Sequence, residues 1–146
     1  EKEMSKILVI DDEKDIRIVL RQVLELEGFE VEVAADGKEG LAKLDEAGAD
    51  LVITDIIMPG IDGVKTLGRI KEKHPGLPVI VISGGGNVAP MTYEPGAIST
   101  SAFLESAAQA GADRTLTKPF DRQEVLGAIN ELLADSAADQ EANHGN

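Results

Sequence analysis

Short runs of β-branched and aliphatic residues alternate along this chain with segments of helical spacing. The runs are Ile7-Leu8-Val9-Ile10, Val31-Glu32-Val33-Ala34, Leu51-Val52-Ile53-Thr54, Val79-Ile80-Val81-Ile82 and Thr115-Leu116-Thr117. Three are continuously apolar, the pattern of strands buried on both faces. Thr115–Thr117 is weaker and is placed by the rhythm. Between the runs, Ile16, Val19, Leu20, Val23 and Leu24 fit one face of a helix that Gly28 stops. Leu41, Leu44 and Ala47 predict a second helix ending at Gly48. Val64, Leu67 and Ile70 predict a third, ending before Pro75. Phe103, Leu104, Ala107 and Ala108 predict a fourth, ending at Gly111, and Val125, Leu126, Ile129, Leu132 and Leu133 a fifth. Strand and helix thus alternate five times. With right-handed crossovers, that order predicts a doubly wound α/β fold with a five-stranded parallel sheet and helices on both faces.

Two stretches break the rhythm. Residues 83–99 are rich in Gly, Pro, Ser and Asn, and an extended loop is expected at about 84–100. Residues 135–146 have no apolar periodicity and carry Asp135, Asp139 and Glu141 without Lys or Arg, so a disordered acidic tail is expected there. The folded domain is then expected over residues 4–134, with Met4 read as the start.

Composition narrows the function. At 146 residues the chain is one domain. Twenty-seven Asp and Glu against 14 Lys and Arg give a net charge of −13. That sign opposes binding to nucleic-acid phosphates and to anionic membrane. No apolar run is long enough to cross a bilayer. Cysteine is absent, which removes disulfides, thiolate metal sites and cysteine nucleophiles. A cytoplasmic location fits this and is the expectation.

In open parallel α/β sheets, ligands bind beyond the carboxyl ends of the strands. Here Asp11 and Asp12 follow the first run, Asp55 the third, Ser83 the fourth, and Lys118-Pro119 the fifth. Three neighbouring carboxylates repel one another and call for a compensating cation. An all-oxygen donor set suits Mg²⁺, with Mn²⁺ as the alternative, rather than zinc. The hydroxyl and the ammonium remain to hold phosphate oxygens. The set reads as a phosphoryl-transfer centre with a carboxylate nucleophile.

These residues carry a resemblance. Val9-Ile10-Asp11-Asp12-Glu13, Asp55-Ile56-Ile57-Met58-Pro59-Gly60 with Asp62-Gly63, Ile82-Ser83-Gly84 and Thr117-Lys118-Pro119-Phe120 together resemble the receiver domain of two-component response regulators, over about residues 5–134. The sequence is similar to the single-domain chemotaxis-type regulators. The resemblance implies a flavodoxin-like (βα)5 fold with strand order 2-1-3-4-5. It implies Asp55 as phosphoacceptor, and Asp11, Asp12, Asp55 and the Ile57 backbone carbonyl as the Mg²⁺ site. It implies Ser83 as the switch hydroxyl, Lys118 as the cation on the phosphoryl oxygens, and a cis bond before Pro119. Its partners would be a histidine kinase or histidine phosphotransfer protein and a downstream protein target, with the chain monomeric or weakly dimeric. It would catalyse only its own phosphotransfer and dephosphorylation.

The sequence departs from the family pattern at two places. The switch position of the fifth strand, usually aromatic, is Thr115. Ser83 and Lys118 stand 35 positions apart, roughly a dozen more than such domains usually have. Three alternatives stand beside the receiver reading. An aspartyl-phosphate phosphohydrolase needs a second acid two positions after its nucleophile, where this chain has Ile57. A flavodoxin-like carrier needs a phosphate loop after the first strand, where Asp11-Asp12-Glu13 repels phosphate. The chain read as a receiver fragment of a longer regulator would share the same site.

Overall fold

The computed structural model describes residues 5–55, 63–83, 111–117 and 120–144. Five strands, β1 (Lys6–Ile10), β2 (Glu30–Ala34), β3 (Leu51–Asp55), β4 (Val79–Ser83) and β5 (Arg114–Thr117), form one sheet. Its order is β2-β1-β3-β4-β5 and every pairing is parallel. This is the doubly wound flavodoxin-like topology, with the reversal of strand order at β1 and β3. Each strand falls within a residue of its apolar run; β1, β3 and β4 are buried on both faces, whereas the edge strands β2 and β5 are partly exposed.

Four helices are described: α1 (Lys14–Leu26), α2 (Gly37–Ala47), α3 (Gly63–Lys73) and α4 (Arg122–His144). They split the core into two layers. On one face Leu20 and Leu24 of α1 and Val125 and Ile129 of α4 pack with Ile7, Val9, Ile53 and Ile80. On the other, Leu44 of α2 and Leu67 and Ile70 of α3 pack with Leu8, Ile10, Val52 and Val81. Alternate residues of one strand thus serve opposite layers. Each such side chain stabilises the fold by roughly 1.5–3 kcal/mol. The exposed ion pairs, such as Arg21–Glu25, contribute about 1 kcal/mol or less each, so burial holds the sheet.

The helix ends follow local chemistry. α1 stops in a Schellman turn: the Gly28 N–H donates to the Glu25 carbonyl at 3.0 Å and the Phe29 N–H to the Leu24 carbonyl at 3.0 Å. Gly28 takes φ +96°, a left-handed backbone that a side chain disfavours. α2 and α4 each start in a side-chain cap. The Asp36 carboxylate accepts from the Glu39 N–H, and the Glu39 carboxylate from the N–H of Ala35, one residue before the cap. At α4 the cap is reciprocal: the Asp121 carboxylate accepts from the Glu124 N–H and the Glu124 carboxylate from the Asp121 N–H.

At the amino-terminal edge of the sheet, Asp113 ties three elements together. One carboxylate oxygen accepts from the Val79 N–H and from Lys71 Nζ of α3, both at 2.8 Å, and the same ammonium donates to the Leu77 carbonyl.

Three sequence expectations change. Val19 is about half exposed rather than in the core, because the inward face of α1 is the narrower line of Leu20 and Leu24 flanked by Ile16 and Val23. Ala47 is exposed, and α2 turns Gly37, Gly40 and Leu44 inward. The last helix runs to His144, where a disordered tail was expected from residue 135. Alanines at 134, 137, 138 and 142 give that segment high helix propensity despite its lack of an apolar stripe. The expected fourth helix, the 84–100 loop and Met4 lie outside the described residues. Among the described residues no helix is long and apolar enough to cross a membrane.

Candidate functional site

The site forms where β1 and β3 end side by side. Ile10 pairs with Ala34 on one side and Thr54 on the other, so the next residues of β1 and β3 emerge at the same edge. The Asp11 N–H donates to the Ala34 carbonyl at 3.1 Å, which extends the ladder by one bond and carries Asp11 out at that edge. Asp55 is the last residue of β3, and its backbone pairs with Ile82. Asp11 is 1% and Asp55 3% exposed, while Asp12 faces solvent.

The local chain dictates how the acids are held. Asp11 Oδ1 accepts the Glu13 N–H at 2.8 Å, closing an Asx turn between β1 and α1. Arg17 Nη1, one turn into α1, donates to the Asp11 backbone carbonyl at 2.7 Å. Thr54, fully buried, donates its hydroxyl to the Asp55 carbonyl at 3.1 Å. An N-cap role for Asp12, the ordinary fate of an Asp-Asp pair before a helix, is not what the structure has. Glu13 occupies the cap position without capping the helix through its side chain, and Asp11 orders the turn. The Asp12 carboxylate is thereby left at the mouth of the site.

Asp11, Asp12 and Asp55 each offer an oxygen such that the three lie within 4.8 Å of one another. Two of these carboxylates are buried, and burying like charges together is costly unless a cation joins them. The donors are all oxygen, and no His or Cys belongs to the group. A hard divalent ion that keeps part of its water shell matches this set, and these three side chains are the ones that could hold it.

Of the other expected site residues, Ser83 and Thr115 are among the described residues. Ser83 is the last residue of β4, with its backbone paired to Thr117. Thr115 lies in β5 opposite Val81 and is half-buried. The β5 chain therefore leaves the sheet beside Ser83, at the edge that carries Asp55. Lys118, Pro119, Ile57, Asp62 and the glycines at 84–86 lie outside the described residues. Sequence reading missed Arg17. Its position three residues before Leu20 places it at the margin of the buried face, where a cation is unusual and points to a specific acceptor.

Comparison with known proteins accords with this geometry. The family model for the response regulator receiver domain matches residues 7–130. The chain is 37% identical over 135 residues to a transcriptional regulatory protein CpxR homolog of Haemophilus influenzae, covering 92% of this chain and 53% of that protein. It is 36% identical over 129 residues to transcriptional regulatory protein ResD of Bacillus subtilis, covering 88% of this chain and 48% of ResD. Among solved structures, a CheY-like response regulator receiver domain protein of Methanospirillum hungatei JF-1 superposes with a TM-score of 0.79 at 31% identity, covering 94% of this chain and 99% of that one. NtrX of Brucella abortus, solved in complex with ADP, superposes with a TM-score of 0.83 at 32% identity, covering 99% of this chain and 30% of NtrX.

The chain belongs to the response regulator receiver domain family of two-component systems. It spans about half the length of the curated relatives it matches.

Proposed function

We propose that the chain is a phosphoacceptor: Asp55 takes a phosphoryl group from a phosphohistidine, and the modified domain signals by protein–protein contact. The observation that carries this reading is the Asp11–Asp12–Asp55 group at the switch point of the sheet. Buried Asp55 is held by its strand, so its carboxylate meets a phosphorus atom without reorganising. The β1–α1 turn, fixed by the Glu13 N–H and by Arg17, holds Asp11 beside it. Asp11, Asp12 and Asp55, with the Ile57 carbonyl expected from the resemblance, would hold Mg²⁺. That ion, when bound, supplies charge neutralisation for the transferring group. Lys118 and Ser83 are assigned to the phosphoryl oxygens by the resemblance. Attack by an Asp55 oxygen forms the P–O bond as the P–N bond to the donor histidine breaks, leaving an acyl phosphate.

In this reading the phosphodonor is a histidine kinase or histidine phosphotransfer protein in the cytoplasm. The chain is not a turnover enzyme beyond its own phosphorylation and dephosphorylation. The relatives are named as transcriptional regulators, but the net charge of −13 argues against assigning DNA contact to these residues. The test is intact-mass spectrometry after acetyl phosphate and Mg²⁺. One phosphoryl group per chain is expected, and none on Asp55→Asn. Full labelling of Asp55→Asn would remove Asp55 from the role. Sustained hydrolysis of a phosphomonoester would favour the phosphohydrolase instead.

A further inference from the structure

Away from the acidic edge, α2 and α3 flank an open surface furrow of about 380 Å³ lined by half-buried Leu41 and the exposed Lys38, Arg69, Glu72 and Lys73. Three of its five lining side chains are cationic, in a chain whose acids outnumber its bases by 27 to 14. In a chain so rich in acids, most bases should find an acidic neighbour. Lys73 does so, with Asp45 at 3.0 Å. Among the described residues Lys38 and Arg69 have no ion-pair partner. They stand on different helices, face the same furrow, and leave only Glu72 to oppose them.

The furrow is also held in shape. At one end α2 touches α3 so closely that a Cβ on Gly37 would lie 2.2 Å from Thr66 Oγ1. At the other end the Lys73–Asp45 pair joins the two helices. The approach of α2 to α3 beside Lys38 is therefore set by the Gly37–Thr66 contact rather than by the cations. Half-buried Leu41 supplies an apolar wall. A volume of this size lies at the lower end of the range for small-molecule sites.

We propose that this furrow binds a small organic dianion, a phosphate monoester or a dicarboxylate, with Lys38 and Arg69 on the anionic oxygens and Leu41 against the carbon skeleton. Arg69 supplies a planar fork that suits either oxyanion, and Lys38 a point charge. The site is separate from Asp55 and does not depend on phosphorylation. Occupancy would bridge α2 and α3 and so stiffen one face of the sheet.

The experiment is a backbone amide NMR titration of the 146-residue chain without Mg²⁺, using glycerol 2-phosphate and succinate in separate arms. Sodium chloride at matched ionic strength serves as the control. Saturable shifts confined to residues 37–42 and 66–74 are expected in at least one arm, and the responding arm identifies the oxyanion. Arg69→Met and Lys38→Met should each weaken the response by about tenfold or more, the loss of one charge-assisted contact, while Asp55→Asn should leave it unchanged. Linear shifts that sodium chloride reproduces would overturn the proposal, as would undiminished binding to Arg69→Met. Shifts centred on Asp55 and lost in Asp55→Asn would also overturn it, assigning the anion to the acidic edge. Binding of a polyglutamate peptide but of neither small anion would overturn it in favour of a protein contact.

Discussion

The Arg17 guanidinium donates to the backbone carbonyl of Asp11 at 2.7 Å, reaching back from the first turn of α1 to the residue that ends β1. With the Glu13 N–H on Asp11 Oδ1, it fixes the turn on both sides of the Asp11 side chain. A charged donor on a part-buried carbonyl contributes roughly 1.5–3 kcal/mol in favourable cases. Arg17→Met is expected to lower stability by about 1–2 kcal/mol, read as a lower urea midpoint with unchanged slope. Arg17→Lys should recover part of this, since an ammonium can still reach the carbonyl. An unchanged midpoint in Arg17→Met would show that the turn stands on the Asx bond alone.

The contact between α2 and α3 gives a sharper test. A Cβ on Gly37 would sit 2.2 Å from Thr66 Oγ1, a separation that Cβ atoms do not tolerate, and Thr66 is fully buried. The helices would have to part. Gly37→Ala should cost about 1–3 kcal/mol by overpacking, although alanine is the better helix former. Placing Gly37→Ala in a Thr66→Ala background should make the added cost small, because Oγ1 and Cγ2 are then gone. A double-mutant cycle on urea midpoints measures this coupling, and additive effects would count against the contact.

Much of this architecture was readable from residue order. The β-branched runs located the strands to within a residue: β1, β3 and β4 are buried on both faces, and the partly exposed edge strands β2 and β5 followed from the strand–helix rhythm. Asp11, Asp12 and Asp55 were legible because each stands at the carboxyl end of an apolar run, and the parallel topology brings those ends together. The misses have a different origin. Val19 obeys helical spacing, but the width of the α1 contact is set by what lies beneath it. Gly37 reads as an ordinary helix start, and only the position of Thr66 on another helix shows why a side chain is excluded. Asp113 sits alone in sequence, and its partners Lys71 and Val79 become neighbours only through the β4–β5 pairing. Long-range contacts of this kind leave no periodic signal.

Acid should weaken one local device in a defined direction. The hydrogen bond from the Ala35 N–H, aided by Lys43, holds the Glu39 carboxyl below its ordinary value of 4.5. The folded state thus favours the ionised form, so this contribution is fully present above pH 4.5 and fades as pH falls through the folded-state value. Glu39 is exposed and screened by solvent, which limits the effect to about a few tenths of a kcal/mol. Glu39→Gln is expected to be less stable than the parent at neutral pH, with the gap closing below pH 4.5. A gap that widens with acid would reverse the assigned sign.

The acidic edge should respond to metal to different extents in two proteins, the parent and Asp12→Ala. Without a divalent ion, Asp12 adds a third negative charge within 4.8 Å of buried Asp11 and Asp55. Asp12→Ala removes that repulsion, and with no side-chain cap on α1 contributed by Asp12 there is little to lose. A gain of roughly 0.5–1 kcal/mol is expected, within the range for exposed charge pairs. With Mg²⁺ the order should invert. Binding to the folded state alone stabilises by about 2.7 kcal/mol at a hundredfold excess over the dissociation constant, and a site lacking one of its carboxylates gains much less. Thermal midpoints of parent and Asp12→Ala should therefore cross as Mg²⁺ is raised, while sodium chloride of equal ionic strength should narrow the gap without a crossing. A parent that stays below Asp12→Ala at every Mg²⁺ concentration would remove Asp12 from the metal site.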